Sequence, residues 1–525
     1  MERDKVITIL QDRKPVSISP DPITKKIFIT LPEPGLTDNR ADVDRVRHEL
    51  ERVTGPVNID LDMMKRIPGA VRDAGWRVTA TVGAFNWGWN LIDLEEGDTT
   101  ARHFGLAVDI GTTTVVVYLV DMRKGGVVDA AAGYNGQIRY GDDILSRIFS
   151  ARDEEGILQL KSAVTGTLNE LVLRLAKRNN ISTSGITAVS IGANTTMAHL
   201  FLGLDPKNIC VAPYIPAVNS PGTLEAGPLG LLVNKKSPVY ILPGVGSYLG
   251  GDVIAGVLAS GMHRKDELAL LLDIGTNGEI VLGNSQWMVA CAGAAGPALE
   301  GGVAVSGMRA EAGAVYKVKI NDSTGQVEYR TIGGGPPVGI CGSGLVDCIA
   351  ELFLAGLIDR SGRFRNSSEF FVVAPSARSG TGKDIVVSQV DISNFMRTKG
   401  AVNAALEILL ESVGCNLGDI ERFYAAGAFG HHLDIESAVA LGLYPDLPRD
   451  RMVKLGNSSG EGARLALMSR ECRRQAEDIA GNITYFELNA SQEFMNKFVS
   501  SKFIPHTNMD YFPTVKKRLA ERGRA

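Results

Sequence analysis

Cysteine is scarce and scattered in this chain of 525 residues. The first of its six cysteines is Cys210, and no two of them form a CxxC pair. Metal clusters and zinc sites need cysteines or histidines grouped at short spacing. The sequence therefore predicts no iron–sulfur cluster held by this chain. Reduced thiols are expected instead, and Cys341 and Cys348 are interpreted as core residues.

Long apolar runs and an excess of basic charge are also missing. The longest uncharged stretch, 280–299, is interrupted by glycines and polar residues, and the N-terminus lacks a basic-then-apolar signal layout. Lysine and arginine number 55 against 59 acidic residues, which gives a net charge of −4. We therefore expect a cytoplasmic protein whose partner is neither a membrane nor a nucleic acid.

The length and the pattern of the chain predict three regions. Residues 1–36 are interpreted as a linker and 37–102 as a small α/β middle domain with amphipathic helices. The remainder, 103–525, is predicted to form two lobes, about 103–265 and about 266–525. In both lobes a strand, a glycine-threonine turn, a second strand and helices follow in the same order, which indicates an internal duplication.

The tetrapeptide Asp-Ile-Gly-Thr occurs once in each lobe, beginning at Asp109 and at Asp273. A Gly-Thr turn exposes N–H and hydroxyl groups that bind phosphate oxygens, and a preceding aspartate suits phosphate when Mg²⁺ lies between them. Two such hairpins facing each other would bind ATP, with Asp109 and Asp273 as the Mg²⁺ ligands. The expected phosphate ligands are Gly111, Thr112, Thr113, Thr114, Gly275, Thr276 and Asn277.

A third glycine-rich stretch, YAAGAFG at 424–430, ends an apolar strand. The order of the three stretches resembles the phosphate-1, phosphate-2 and adenosine motifs of the acetate and sugar kinase, heat-shock chaperone and actin superfamily. The resemblance implies a duplicated actin-like α/β ATPase fold, two lobes with an ATP cleft, preceded by the linker and the small α/β domain. It also implies adenosine contacts from Gly427, Ala428 and Gly430.

Two more glycine-rich turns, 291–302 and 339–345, begin predicted helices in the second lobe. The N-terminus of a helix built from small residues suits ribose or phosphate groups. Gly296, Glu300, Gly342 and Ser343 are therefore candidate contacts of the adenosine moiety. Close packing of helices on the sheet is the alternative explanation.

Asp252, in GGDVIAG, is the candidate catalytic residue. In the superfamily, the residue that activates the attacking water or hydroxyl opens the helix before the phosphate-2 motif, and Asp252 matches that position. The resemblance thus implies a general base or a water-positioning residue. A helix N-cap is the alternative, and the two roles are compatible.

Longer stretches resemble one branch of the superfamily, the reductive activators of corrinoid proteins. They include SISPDPITKKIFITLPEPGLTDNR, YGDDILSRI, VSIGANTTMAHLFLGLDP, AAGPALEGGVAVSGMRAEAGAV and FIPHTNMDYFPTV, within a match over about residues 17–515. The resemblance implies an ATPase that promotes reduction of cobalt(II) to cobalt(I) in a corrinoid methyl-transfer protein. A homodimer is compatible with it.

The chain departs from that branch in one respect. Members usually hold an iron–sulfur cluster, often in an N-terminal ferredoxin-like domain, whereas no cysteine precedes Cys210 here. We therefore expect the electron to come from a separate ferredoxin-type donor or from a domain outside this sequence. Two other functions stay open at this point, a small-molecule kinase in which Asp252 deprotonates a substrate hydroxyl, and an ATP-gated binding protein without turnover.

Overall fold

The computed structural model describes residues 20–275, 278–293, 304–321, 324–366, 368–488 and 492–524. The chain forms two compact units. The first comprises Met1–Ala259 and Ser458–Asn482, and the second comprises Ser260–Asn457 and Ile483–Ala525. The first unit is therefore built from two separate stretches of sequence.

The first unit begins with a small sheet and two helices. The strands lie in the order β1-β3-β4-β2, and β1 pairs antiparallel with β3 from Thr24 to Thr30. The sheet thus begins inside the segment assigned to a linker, because this strand buries Ile29 in the small core. The elements are β1 (Thr24–Thr30), α1 (Asp42–Thr54), β2 (Val57–Asn58), α2 (Leu61–Asp73), β3 (Arg77–Phe85) and β4 (Gly88–Glu96).

A six-stranded sheet follows in the order β7-β6-β5-β8-β10-β9. Strands β5 to β7 form an antiparallel meander, whereas β8 and β10 run parallel to β5. The elements are β5 (Phe104–Ile110), β6 (Thr114–Asp121), β7 (Val127–Tyr134), α3 (Ile144–Ser150), α4 (Glu154–Arg178), β8 (Ile186–Ala193), α5 (Thr195–Leu202), β9 (Gly222–Glu225), β10 (Pro238–Ile241) and α6 (Gly251–Ser260).

The second unit contains another six-stranded sheet, in the order β20-β19-β11-β12-β13-β21, with two smaller sheets. Its strands are β11 (Ala269–Ile274), β12 (Gly278–Gly283), β13 (Met288–Gly293), β14 (Ala314–Ile320), β15 (Val327–Thr331), β16 (Gly339–Ile340), β17 (Phe370–Ala374), β18 (Ile385–Ser388), β19 (Arg422–Ala426), β20 (Met452–Gly456) and β21 (Ile483–Phe486). Its helices are α7 (Gly342–Leu354), α8 (Gln389–Ser412), α9 (Gly427–His432), α10 (Ile435–Ala440), α13 (Gln492–Ser500) and α14 (Pro513–Glu521), and the two intervening helices, α11 (Ser458–Met468) and α12 (Arg470–Asn482), belong to the first unit.

The two large sheets share one plan. In the first, the spatial order β7-β6-β5-β8-β10 joins a meander to two parallel strands, and in the second β13-β12-β11-β19-β20 does the same. In each sheet the Asp-Ile pair of the repeated tetrapeptide, Asp109-Ile110 or Asp273-Ile274, ends the first strand of the hairpin. This repetition is the structural form of the duplication that the sequence predicts.

Helix α11 returns to the first sheet, although the sequence analysis assigns it to the second lobe. It packs on β5 and β8, where a methyl group on Gly192 would lie 2.5 Å from Ser459 Oγ. Arg464 donates to the carbonyl of Gly125 at 2.7 Å and to Glu461. Close glycine contacts and the bond from Arg464 to Gly125 fix this helix to the first unit, and sequence order alone does not reveal such packing.

The cysteines of this chain are reduced and mostly buried. All six cysteines are free thiols, and Cys341 and Cys348 are buried, as predicted. Burial raises the pKa of the Cys348 thiol, which keeps it protonated and unreactive. Among the described helices, none has the length and apolar content needed to span a bilayer.

Candidate active site

The first hairpin turn is supported by backbone and side-chain hydrogen bonds. Gly111 N donates to the carbonyl of Thr114 at 3.0 Å, and a methyl group on Gly111 would lie 2.7 Å from that oxygen. Asn135 donates its side-chain amide to Gly111 O at 3.0 Å and its backbone N–H to Thr113 O at 2.9 Å. Asn135, which follows β7, thus donates hydrogen bonds to two carbonyls of the turn. The turn of Gly111–Thr114 is tight, as predicted, and requires glycine.

The structure brings Asp109 and Asp252 together from positions far apart in sequence. Asp109 lies near the end of β5, paired with Gly192 of β8. Asp252 is the second residue of α6, and its Oδ1 accepts from Val253 N at 2.9 Å. Burial and the neighbouring Asp109 carboxylate raise the pKa of Asp252 to about 7. Because α6 begins at Gly251, Asp252 lies in the first turn and the N-cap alternative is wrong.

Two glycines set the position of Asp252. A methyl group on Gly250 would lie 2.5 Å from Asn194 Cα, and one on Gly251 would overlap the carbonyl of Leu242. A side chain at either position would push the start of α6 away from β8 and β10. The GGD sequence therefore places the Asp252 carboxylate as close to the sheet edge as backbone packing allows.

The second hairpin has different neighbours. Asp273, at the end of β11, pairs with Glu279 across the hairpin and with Ala426 of β19. Gly427 begins α9 with φ of 79°, and a methyl group there would overlap the Asp273 carboxylate. Burial, followed by the Asp273 charge, raises the pKa of the Tyr444 hydroxyl. The Asp273 carboxylate thus lies against glycine backbone and a neutral phenol.

The candidate adenosine contacts lie on two helices of the second unit that touch each other, α7 and α9. Helix α7 begins at Gly342, as predicted, and the buried Ser343 has its Oγ 3.4 Å from Cys341 Sγ. Gly430 and the backbone of Ala428 lie in α9. Their role in adenosine binding stays a prediction, and close helix packing stays the alternative.

The structure does not describe four of the predicted ligand contacts, and the predicted metal site has to be considered separately. Thr276, Asn277, Gly296 and Glu300 lie outside the described residues. Within the described part of the chain, His, Cys, Asp and Glu form no group of three suited to a metal ion. Magnesium prefers one or two carboxylates with phosphate oxygens and water, a set that needs no third side chain. The Asp109 carboxylate fits such a cation, which would also offset its repulsion with Asp252.

Sequence reasoning overlooked four residues around the hairpins, which are Asn135, Asn194, Glu279 and Tyr444. One of them carried a local signal. Asn194 precedes Thr195 and Thr196 after an apolar strand, which is typical of a helix N-cap, and its Oδ1 does accept from Met197 N at 2.9 Å. The other three are placed by sheet register or tertiary packing, which the sequence does not display.

Comparison with known proteins identifies the family. Three sequence models match in succession, the RACo linker region over residues 15–101, the RACo middle region over 104–265, and the C-terminal domain of RACo, the ASKHA domain, over 267–516. The corrinoid activation enzyme RamQ of Eubacterium limosum is 34% identical over 415 residues, which cover 75% of this chain and 69% of the relative. The chain belongs to the RACo family.

Other members of the RACo family support the fold. A solved reductive activator for corrinoid,iron-sulfur protein superposes with a TM-score of 0.87 and 41% identity, over 95% of this chain and 81% of the other. The [Co(II) methylated amine-specific corrinoid protein] reductase of Methanosarcina barkeri is 23% identical over 425 residues, 75% of this chain and 76% of the relative. The resemblance and the actin-like α/β fold predicted from the sequence are confirmed.

Proposed function

We propose that this RACo family chain is an ATP-dependent activator that promotes reduction of cobalt(II) to cobalt(I) in a corrinoid methyl-transfer protein. The names of RamQ and of the Methanosarcina barkeri relative support the corrinoid protein as the partner. The observation that carries the ATPase part is the Asp109–Asp252 pair beside a tight Gly-Thr turn. Holding two half-buried carboxylates beside each other costs stability, and such pairs with a perturbed pKa are typical of functional sites.

The residues that would bind Mg-ATP are those of the two hairpins. Thr112 in the first unit offers its hydroxyl to phosphate oxygens, whereas the N–H of Gly111, also predicted as a phosphate ligand, is used within the turn. Asp109 and Asp273 would offer carboxylates to Mg²⁺. When bound, Mg-ATP supplies a phosphoanhydride bond whose hydrolysis or binding energy can drive a change in the protein complex. Gly427 and Gly430 lie in α9 directly after β19, the place of the adenosine motif in the chain order, which supports the adenosine assignment.

Asp252 is proposed to handle the proton of the attacking water. A general base works best when its pKa is near the operating pH, and burial with Asp109 brings the pKa of Asp252 to about 7. Its Oδ1 is fixed by the N–H of Val253, so the second oxygen is available to orient a water molecule. A cation beside Asp109 would favour the ionised form of Asp252 and so prepare the base only when nucleotide is present.

The electron is proposed to come from an iron–sulfur donor of the ferredoxin type outside this chain. The six cysteines are free thiols on separate elements of the fold. Each 59 mV or so of uphill potential for one electron lowers the equilibrium constant about tenfold. ATP can compensate by favouring one state of the complex with the corrinoid protein, provided that it binds that state more tightly.

The test combines this chain, a cobalt(II) corrinoid protein, a low-potential reductant and a ferredoxin, each with and without ATP. We expect cobalt(I) absorption only when ATP is present and faster formation when ferredoxin is added. Turnover of ATP should rise when the corrinoid protein is present. Cobalt(I) formation independent of ATP, or ATP turnover that requires a small metabolite instead, would contradict the proposal, the latter in favour of a kinase.

A further inference from the structure

The start of helix α5 connects the two parts of the candidate active site in the first unit. We propose that Asn194 and Thr195 are positioning residues that hold the Gly111–Thr114 turn and the segment before Asp252 in fixed register. The inference rests on the proposed ATPase function and names the residues that organise it. Neither residue is part of the hairpin motif or of the GGD sequence.

Asn194 acts on the turn. Its Nδ2 donates to Thr112 Oγ1 at 3.1 Å, while its Oδ1 caps α5 by accepting from Met197 N. Because Thr112 Oγ1 accepts from this amide, the hydroxyl proton of Thr112 remains to be donated elsewhere. Thr112 is buried, so its hydroxyl has few orientations. Asn194 thus turns the Thr112 hydroxyl into a fixed donor, as a phosphate oxygen requires.

Thr195 acts on the segment that leads into α6. Its hydroxyl is buried and donates to the carbonyl of Gly246 at 2.6 Å. At the other end of the same segment, Gly250 fits against the backbone of Asn194 and Thr195 with no space for a methyl group. The segment 246–250 therefore contacts α5 at both of its ends, through Gly246 and Gly250. It leads directly into α6 and so to Asp252.

His199 completes the anchorage one turn along α5. Its Nδ1 donates to the carbonyl of Thr195 at 2.7 Å, and its Nε2 accepts from Ala217 N at 3.1 Å. This pair of bonds fixes the neutral tautomer, and burial lowers the pKa of His199 in agreement. Ser247 Oγ donates to the carbonyl of Tyr214 at 2.5 Å, so the segment 214–217 is tied to both α5 and the 246–250 backbone.

Asn194→Ser tests the connection to the turn. Serine is a good N-cap, so α5 should stay intact, but its side chain is too short to reach Thr112. We expect the affinity for Mg-ATP, measured by calorimetry, to fall about tenfold, with a matching rise in KM and little change in kcat. Asp153→Ser, which replaces the N-cap of α4 away from the site, is the matched control and should leave affinity unchanged. Unchanged affinity in Asn194→Ser would overturn this half of the inference.

Thr195→Val and Thr195→Ser test the connection to Asp252. Valine keeps the shape but loses the bond to Gly246, whereas serine keeps the hydroxyl. In Thr195→Val we expect kcat to fall about tenfold with KM unchanged, and in Thr195→Ser we expect activity within about twofold of the parent. Ser237→Ala removes another buried hydroxyl-to-carbonyl bond of the first unit, to Ile186 O, and should have no effect on turnover.

A measurement that needs no nucleotide separates this inference from the proposed function. Hydrogen–deuterium exchange of the backbone amides of 246–250 can be followed by mass spectrometry in the parent chain and in both Thr195 variants. Loss of the Thr195 bond should speed exchange in this segment about tenfold, and Thr195→Ser should restore the parental rate. An unchanged exchange rate in folded Thr195→Val overturns the inference, whereas failure of the parent chain to bind ATP overturns the function alone.

Discussion

The two Asp-Ile-Gly-Thr hairpins share strand order but differ in register, since Asp109 pairs with Val116 and Asp273 with Glu279, and in what surrounds their aspartates. Asp109 faces a second carboxylate, Asp252, and their proximity raises the pKa of the latter. Asp273 faces the backbone of Gly427 and the buried phenol of Tyr444. This difference indicates that the duplicated units keep the same arrangement of strands while the residues around each aspartate have diverged. In the first copy two carboxylates lie close together, and in the second the aspartate packs against glycine backbone.

The largest expected effect is that of Asp252→Asn on ATP turnover. The amide keeps the size of the side chain but cannot accept a proton, so kcat should fall about a thousandfold while Mg-ATP affinity stays within about threefold. Turnover is measured as phosphate release with the corrinoid protein present. Asp142→Asn, at an exposed carboxyl of the same unit, is the control. Parental kcat in Asp252→Asn would remove Asp252 from catalysis and make the two hairpins functionally alike.

Gly427→Ala tests whether close approach distinguishes the second hairpin. The substitution introduces a positive-φ strain and an overlap with Asp273, and we expect it to lower the free energy of unfolding by about 3 kcal/mol. Gly414→Ala is the matched control, since Gly414 also has positive φ, at 68°, but open space around it. Gly414→Ala should lower the free energy of unfolding by only about 1 kcal/mol. If chemical denaturation gave the same loss for both variants, the close contact between Gly427 and Asp273 would have no effect on stability.

Asp109→Ala and Asp273→Ala compare the two hairpins directly. If both carboxylates act on the Mg²⁺ of Mg-ATP, each variant should bind the nucleotide about a hundredfold more weakly. Calorimetry with Mg²⁺ and with EDTA separates metal-dependent from metal-independent binding, and the parent chain should lose the same affinity in EDTA. Parental affinity in either variant would exclude that aspartate as a metal ligand.

The sequence predicted the repeated hairpins of this fold well. It did not predict which helices from the end of the chain pack on the first sheet. The strand pairs around Asp109 and Asp273 follow from a short apolar run before each Gly-Thr turn, and both hairpins are present. The start of α7 at Gly342 follows equally from a local signal, whereas the short helix α9 lies where the sequence predicted only a glycine turn. In contrast, α11 packs on β5 from the far end of the chain, and no local pattern records its destination.

The same distinction holds for the candidate site. Asp109 and Asp252 could be singled out because each belongs to a short motif, but their mutual repulsion depends on the parallel pairing of β5 with β8. Asn135 and Thr195 could not be found, since a polar residue after a strand is common and its partner is a distant carbonyl. Motifs therefore predict which residues matter, whereas the residues that position them require the coordinates.

The smallest effect concerns the pH dependence of stability, and it sharpens the same comparison. Asp252 has a pKa of about 7 in the folded chain, above its ordinary value of about 3.9. Between these values unfolding releases a proton, so the free energy of unfolding falls as the pH rises, and the full cost is present above about pH 7. Asp252→Asn removes that cost, so it should stabilise the chain by about 2 kcal/mol at pH 8 and by much less at pH 5.

Asp109→Asn should reproduce part of this stabilisation, because it removes the neighbouring charge, whereas Asp142→Asn should give none. Thermal and urea unfolding of each variant at pH 5 and pH 8 measure these changes in the free energy of unfolding. If Asp252→Asn stabilised the chain equally at both pH values, Asp109 and Asp252 would not form a repulsive carboxylate pair, and the first hairpin would lack the feature that distinguishes it from the second.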